Sequence, residues 1–125
     1  MPMMSLDSIL IIDDNQETLE CLGNLFSALG VPRVRATHGA EQALQILEKE
    51  RFSIILSDYW MEGMDGVAML DELRARGDQT PFLLLSGVPD TPAVIKALHH
   101  PKVAFFGKPF QLDDLTSAME KLRVA

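Results

Sequence analysis

The chain has 125 residues, of which 47% are hydrophobic and 23% charged, and this composition predicts a single globular domain spanning residues 1–125. Its net charge of −7 argues against direct binding to nucleic acid, and no apolar run is long enough to cross a membrane. The first residues lack the basic and apolar segments of a signal peptide, and the single cysteine, Cys21, cannot form an internal disulfide, so we expect a cytoplasmic location.

The first part of the chain predicts two strands and two helices in alternation. Ile9–Ile12 is a short, continuous apolar run, which is typical of a strand covered on both faces in a parallel sheet. Val34–Thr37 is less apolar and carries a charge, so we expect it at an edge of the sheet. Apolar residues at spacings of three and four predict a helix after each strand: Leu19, Leu22, Leu25, Phe26 and Leu29, then Ala40, Ala43, Leu44 and Leu47.

The rest of the chain repeats this pattern three times. Apolar runs at Ile54–Leu56, Phe82–Leu85 and Val103–Phe106 predict the remaining strands. Thr91 followed by Pro92 predicts the start of the fourth helix, because threonine caps helix N-termini and proline fits the first turn. The apolar helix positions are Leu70 and Leu73 in the third helix, Val94, Ala97 and Leu98 in the fourth, and Leu112, Leu115, Met119 and Leu122 in the fifth. Five β-α units predict an open, doubly wound α/β sheet with right-handed crossovers.

Polar residues follow four of the predicted strands at their carboxyl ends. Asp13 and Asp14 follow the first strand, Asp58 the third, Ser86 the fourth and Lys108 the fifth. Ligands of open α/β sheets bind outside the carboxyl ends of the strands, so we expect these side chains to converge.

These residue types together favour phosphoryl chemistry. Three close carboxylates repel one another unless a cation lies between them, and Mg²⁺ prefers carboxylate oxygens together with a phosphate. Lys108 supplies a positive charge and Ser86 a hydroxyl donor for phosphate oxygens. A carboxylate can itself act as a nucleophile and form an aspartyl phosphate. The sequence therefore predicts a site for Mg²⁺-assisted phosphoryl transfer.

Over essentially its whole length the chain resembles the receiver domain of two-component response regulators. The resemblance rests on the acidic pair Asp13-Asp14, on the segment Ser57–Gly66 around Asp58, on Ser86-Gly87 and on Lys108-Pro109-Phe110. It implies a flavodoxin-like five-stranded sheet with strand order 2-1-3-4-5. It also implies a phosphorylation-dependent signalling switch, phosphorylated by a histidine kinase or a phosphotransfer protein, rather than an enzyme with a separate substrate.

The resemblance further implies a role for each site residue. Asp58 is the expected phosphoacceptor. Asp14 is expected to bind Mg²⁺ directly and Asp13 mostly through water, with Asp58 and the backbone carbonyl of Trp60 as further ligands. Ser86 is expected to contact the phosphoryl group.

Other expected features lie near the fifth strand. Lys108 would form an ion pair with the phosphoryl group, and the Lys108-Pro109 bond would be cis. Phe105 matches the switch aromatic, although its neighbour Phe106 remains an alternative. Phosphorylation would then change the face made by the fourth helix, fifth strand and fifth helix, where a downstream protein binds. The domain would be a monomer or a phosphorylation-dependent dimer.

Three positions depart from the receiver pattern. Glu62 stands where the family usually has proline, Trp60 lies two residues after the acceptor, and Val88 lies two residues after Ser86. Trp60 and Val88 are apolar and flank the expected path of attacking water, so we expect slow loss of the phosphoryl group.

Four alternatives remain open to test. A phosphatase of the haloacid dehalogenase type would need an aspartate two residues after the nucleophile, where this chain has Trp60. A flavodoxin-like cofactor binder would need a hydroxyl-rich first loop, and Asp13-Asp14-Asn15 would repel its phosphate. A degenerate receiver used only for docking is disfavoured by the intact set of site residues. The chain could also be a receiver fragment of a larger regulator or hybrid kinase.

Overall fold

The computed structural model describes residues 6–87 and 92–124, which form five strands and five helices in strict alternation. The elements follow one another as β1 (Ser8–Asp13), α1 (Gln16–Ala28), β2 (Arg33–His38), α2 (Ala40–Lys49), β3 (Ile54–Asp58), α3 (Gly66–Ala75), β4 (Phe82–Ser86), α4 (Pro92–Ala97), β5 (Val103–Gly107) and α5 (Leu112–Val124). The predicted order of elements is therefore confirmed. None of the described helices combines the length and apolar character needed to span a membrane.

The strands form one parallel sheet in the order β2-β1-β3-β4-β5. This order confirms the predicted doubly wound α/β fold. β2 lies at an edge, as its charge predicted, and most of its residues are exposed, whereas every residue of β1 and β4 is buried. Strand order reverses at β1, because the chain runs first to β2 on one side and then to β3 on the other.

The core consists of two clusters on opposite faces of the sheet. Side chains alternate along each strand, so Ile9 and Ile11 pack with α1 and α5 on one face. Leu10 and Ile12 pack with α2, α3 and α4 on the other. The strands are therefore apolar on both faces, which explains why their sequences read as continuous apolar runs rather than as alternating ones.

The prediction that Leu98 belongs to the apolar face of the fourth helix is wrong. Leu98 is 45% exposed, because α4 ends at Ala97 and leaves Leu98 in the following turn. Val94 and Ala97 are buried as predicted. Pro92 is the first residue of α4, and Thr91, its predicted cap, lies outside the described residues.

A buried arginine joins the loops at the amino end of the sheet. Arg74 of α3 is 8% exposed. Its Nη1 donates to the carbonyl of Asp78 at 2.8 Å, and its Nη2 donates to the carbonyls of Thr80 at 2.9 Å and Pro101 at 3.1 Å. Burial lowers the pKa of Arg74 below its ordinary value, and the negative charge of Asp78 partly opposes this. Arg74 thus connects α3 to the turns that lead into β4 and β5.

Candidate functional site

Three carboxylates meet at the carboxyl end of the sheet. Asp13 is the last residue of β1, Asp14 follows it, and Asp58 is the last residue of the neighbouring strand β3. One carboxylate oxygen from each of the three lies within 4.8 Å of the others. Asp13 is buried, Asp58 is half-buried and Asp14 is exposed, so the cluster opens to solvent on one side.

Each carboxylate of this cluster accepts a hydrogen bond from a different source. The backbone N–H of Asn15 donates to Oδ1 of Asp13 at 3.0 Å, and the backbone N–H of Glu62 donates to Oδ2 of Asp14 at 3.1 Å. Nζ of Lys108 donates to Oδ1 of Asp58 at 2.7 Å. The side chain of Asp58 is therefore oriented by a charged partner.

The electrostatics of the cluster favour a bound cation. Burial is the main cause that raises the pKa of Asp13, and the negative charges of Asp58 and Asp14 raise it further. The hydrogen bond from Asn15 and the positive charge of Lys108 act in the opposite direction. Three hard oxygen donors at this spacing fit Mg²⁺, which relieves the repulsion among carboxylates and uses few protein ligands.

Ser86 and Lys108 also lie at the carboxyl end of the sheet, where β4 and β5 end. Ser86 is the last residue of β4, is buried, and pairs in register with Gly107 of β5. The backbone N–H of Lys108 donates to the carbonyl of Ser86 at 2.8 Å, which fixes the start of the loop after β5. The Lys108-Pro109 peptide bond is cis.

Two neighbouring residues in the loop between β3 and α3 differ in burial. Met61 is buried in the cluster of α2, α3 and α4, whereas the side chain of Trp60 is 76% exposed. The expectation that Trp60 limits water access to the phosphoryl group gains no support from this placement. Val88, the other residue of that expectation, lies outside the described residues.

The two phenylalanines of β5 face opposite sides of the sheet. Phe105 packs against the core cluster that contains α4, while Phe106 packs with α1 and α5 and lies 6.0 Å from the ring of Phe110. The sequence left open which of them is the switch aromatic. Phe105 is the one on the same face as α4.

Two supporting residues of the site were not recognised from the sequence. A Cβ on Gly66 would lie 2.5 Å from the backbone oxygen of Asp58 and 2.8 Å from Cδ1 of Leu84, so only glycine permits this approach of α3 to β3. The N–H of Glu62 was also missed, since the sequence drew attention to the side chain at this position and not to its amide. The approach of Gly66 could have been suspected from its place in the segment after Asp58, but no sequence signal reveals the amide contact.

This fold and site define an α/β domain with an acidic centre beside a lysine, and the comparison with known families agrees. The sequence profile of the family described as response regulator receiver domain matches residues 9–120. The chain therefore belongs to the receiver domains of response regulators. Receiver domains are signalling domains that take part in two-component systems and generally bind Mg²⁺ at such an acidic pocket.

Individual relatives agree with this assignment. The chain is 32% identical over 111 residues to response regulator protein TmoT of Ectopseudomonas mendocina, covering 89% of this chain and 50% of that protein. It is 31% identical to transcriptional regulatory protein FixJ of Bradyrhizobium diazoefficiens, covering 90% and 54%. The chain thus spans about half the length of these relatives.

A solved structure supports the fold. The signal receiver domain of a signal transduction histidine kinase from Syntrophus aciditrophicus superposes with a TM-score of 0.83 at 27% identity. The superposition covers 94% of this chain and 90% of that one, so the similarity extends over both molecules almost completely.

Proposed function

We propose that this domain is a phosphorylation-dependent signalling switch whose phosphoacceptor is Asp58. The observation that carries the proposal is the placement of the Asp58 carboxylate between two acidic side chains and the ammonium group of Lys108, 2.7 Å from its Oδ1. An aspartate at the carboxyl end of a strand, beside an opening to solvent, can reach a phosphorylated side chain on another protein. The phosphoryl donor would be a phosphohistidine of a partner kinase or phosphotransfer protein.

The chemical step uses the carboxylate of Asp58 as the nucleophile. Its oxygen forms a bond to phosphorus while the bond between phosphorus and the histidine nitrogen breaks, and the imidazole leaves. Lys108 then pairs with a phosphoryl oxygen, and the hydroxyl of Ser86 donates to another. Phosphoryl transfer depends mainly on such positioning and charge neutralisation.

Asp13, Asp14, Asp58 and the backbone carbonyl of Trp60 would hold Mg²⁺. The ion, when bound, supplies positive charge next to the transferred phosphoryl group. The oxygen-only donor set and the close approach of its carboxylates support this assignment.

The output of the switch would pass through Ser86 and Phe105. Ser86 ends β4 and Phe105 lies on the neighbouring strand, facing the side of α4. Movement of Ser86 toward a phosphoryl group would open space for Phe105, and the face of α4, β5 and α5 would change. A downstream protein, or a second phosphorylated copy, would bind that face.

We further propose that the chain is one domain that acts in the cytoplasm as a switch rather than as an enzyme on separate substrates. Its relatives carry additional length, so the chain either works alone or serves as the receiver part of a larger regulator or hybrid kinase. The domain would bind protein partners and neither nucleic acid nor membrane directly.

Labelling with a small phosphodonor tests the proposed acceptor. Acetyl phosphate with Mg²⁺ should give an acid-labile label on the wild type, and Asp58→Asn should lose it, because the amide cannot act as the nucleophile. Asp65→Asn is the matched control, since Asp65 caps α3 through Ala68 and asparagine caps equally well. Full labelling of the Asp58 variant would exclude Asp58 as the acceptor.

A further inference from the structure

Asp14 receives a hydrogen bond from a distant part of the chain. Asp14 is exposed, and its Oδ2 accepts from the backbone N–H of Glu62 at 3.1 Å, across a separation of 48 residues. Asp13 differs, because it is buried and accepts from the N–H of Asn15 two residues away. An exposed carboxylate without a partner would sample several rotamers, so the amide of Glu62 restricts the one member of the cluster that burial does not fix.

The amide of Glu62 is placed by the backbone of its loop. Met61, the preceding residue, is 3% exposed and packs into the core cluster with α2, α3 and α4. The N–H of Gly66 donates to the carbonyl of Tyr59 at 2.9 Å, which closes the loop from residue 59 to residue 66. Asp65 caps α3 through the N–H of Ala68 at 2.8 Å. The loop is thus held on both sides of Glu62, so its backbone rather than its side chain directs the amide at Asp14.

We propose that the peptide N–H of Glu62 is a positioning group that orients the carboxylate of Asp14 for cation binding. A carboxylate has about four acceptor sites, so Oδ2 can accept the amide while the group still binds a metal ion. Hydrogen bonds to carboxylate ligands of this kind typically alter metal affinity by about 10–100-fold. This inference rests on the proposed function of the acidic cluster.

The residue type at position 62 decides whether the hydrogen bond exists. Proline, which the receiver pattern usually has here, lacks a backbone N–H and could not donate to Asp14. Any other residue retains the donor. The side chain of Glu62 is exposed and adds a negative charge, so its effect must be separated from that of its amide.

Two substitutions separate the amide from the side chain. Glu62→Pro and Glu62→Ala both remove the carboxylate, and only the proline removes the N–H. Trp60, the single tryptophan, lies two residues from Asp58 in the sequence, so its fluorescence should report Mg²⁺ binding in a titration. We expect Glu62→Ala to bind within about twofold of the wild type and Glu62→Pro to bind about tenfold more weakly. Equal affinities of the two variants would overturn the proposal.

A measurement without metal tests the contact itself and remains decisive if the proline variant does not fold. In the wild type, amide hydrogen exchange at Glu62 should be slowed, and Asp14→Ala should accelerate it at least several-fold because the acceptor is lost. Asp113→Ala, at an exposed position of α5, is the control and should leave the exchange unchanged. Unaltered exchange in Asp14→Ala would overturn the proposal. A wild type that shows this exchange but no labelling of Asp58 would instead contradict the proposed function.

Discussion

The two ends of the sheet treat charge in opposite ways. At the amino end, the guanidinium group of Arg74 is buried. It donates hydrogen bonds to backbone carbonyls of the loops before β4 and β5. At the carboxyl end, the negative charges of Asp13, Asp14 and Asp58 lie together, and burial, followed by repulsion from the other two carboxylates, raises the pKa of Asp13. The hydrogen bonds that Arg74 donates at the amino end therefore stabilise the fold, although burial disfavours its charge. The charges at the carboxyl end oppose folding and are suited to binding.

The topology explains why binding groups collect at one end. β1 lies between β2 and β3, and its following helix, α1, covers the face opposite to α2 and α3. The loops that follow β1 and β3 consequently diverge and leave a crevice beyond the carboxyl ends of these strands. At the amino end, the side chain of Arg74 instead fills the space between the turns that lead into β4 and β5.

Replacing the buried arginine should give the largest loss of stability. Arg74→Met leaves the carbonyls of Asp78, Thr80 and Pro101 without this donor, and we expect the free energy of unfolding to fall by about 3 kcal/mol. Arg76→Met is the matched control, because Arg76 is exposed and pairs with Glu72, so its loss should cost about 0.5 kcal/mol. Urea denaturation measures both. Similar losses in the two variants would remove the contrast between the ends of the sheet.

A methyl group at the contact between α3 and β3 should have the next largest effect. Gly66→Ala places a Cβ 2.5 Å from the backbone oxygen of Asp58, and we expect a loss of about 2 kcal/mol, since the obstructing atom belongs to the backbone. Gly23→Ala is the control: nothing lies within 4 Å of its Cβ, and alanine in helix α1 should add about 0.5–1 kcal/mol. Thermal unfolding of both variants checks the opposite signs, and a stabilised Gly66→Ala would contradict the observed packing.

Neutralising Asp13 should give a smaller effect that depends on pH. The pKa of Asp13 is raised above its ordinary value of 3.8 in the folded protein, mainly by burial, so the folded state binds more protons than the unfolded state at pH values between the two pKa values. The contribution of Asp13 to stability is then greatest below about pH 3.8 and declines as pH rises through the raised pKa.

Asp13→Asn should therefore raise the unfolding temperature by a few degrees at pH 7 with a chelator present. The gain should shrink as pH falls and vanish well below 3.8, where Asp13 is protonated in both the folded and the unfolded state. The asparagine Oδ1 can still accept from Asn15, so the hydrogen bond is conserved. A variant that is less stable than the wild type at pH 7 would show that the charge of Asp13 is not unfavourable.

The contrast between the two ends also marks how far the sequence could predict the molecule. Apolar runs bounded by turn residues predicted four of the strands, and the weaker, charged segment of β2 was expected at an edge because edges tolerate exposure. The convergence of Asp13, Asp14 and Asp58 followed from the parallel arrangement of strand ends. These features depend on periodicity and topology, which a sequence carries directly.

Features that depend on three-dimensional packing could not be predicted from the sequence. The charge of Arg74 does not predict its burial, and only the turns around it make it a buried donor. Leu98 has the spacing of a core residue, but α4 ends one residue earlier. The amide of Glu62 carries no signal at all, since every residue except proline has one.

The most direct test of the account locates the phosphoryl group in the chain. Borohydride reduces an aspartyl phosphate to homoserine, and mass spectrometry of the digested protein identifies the converted residue. After treatment with acetyl phosphate and Mg²⁺, we expect homoserine at Asp58 and at neither Asp13 nor Asp14, because Asp58 is the carboxylate that Lys108 contacts. Conversion at Asp13 or Asp14, or labelled protein without conversion at Asp58, would contradict the central claim.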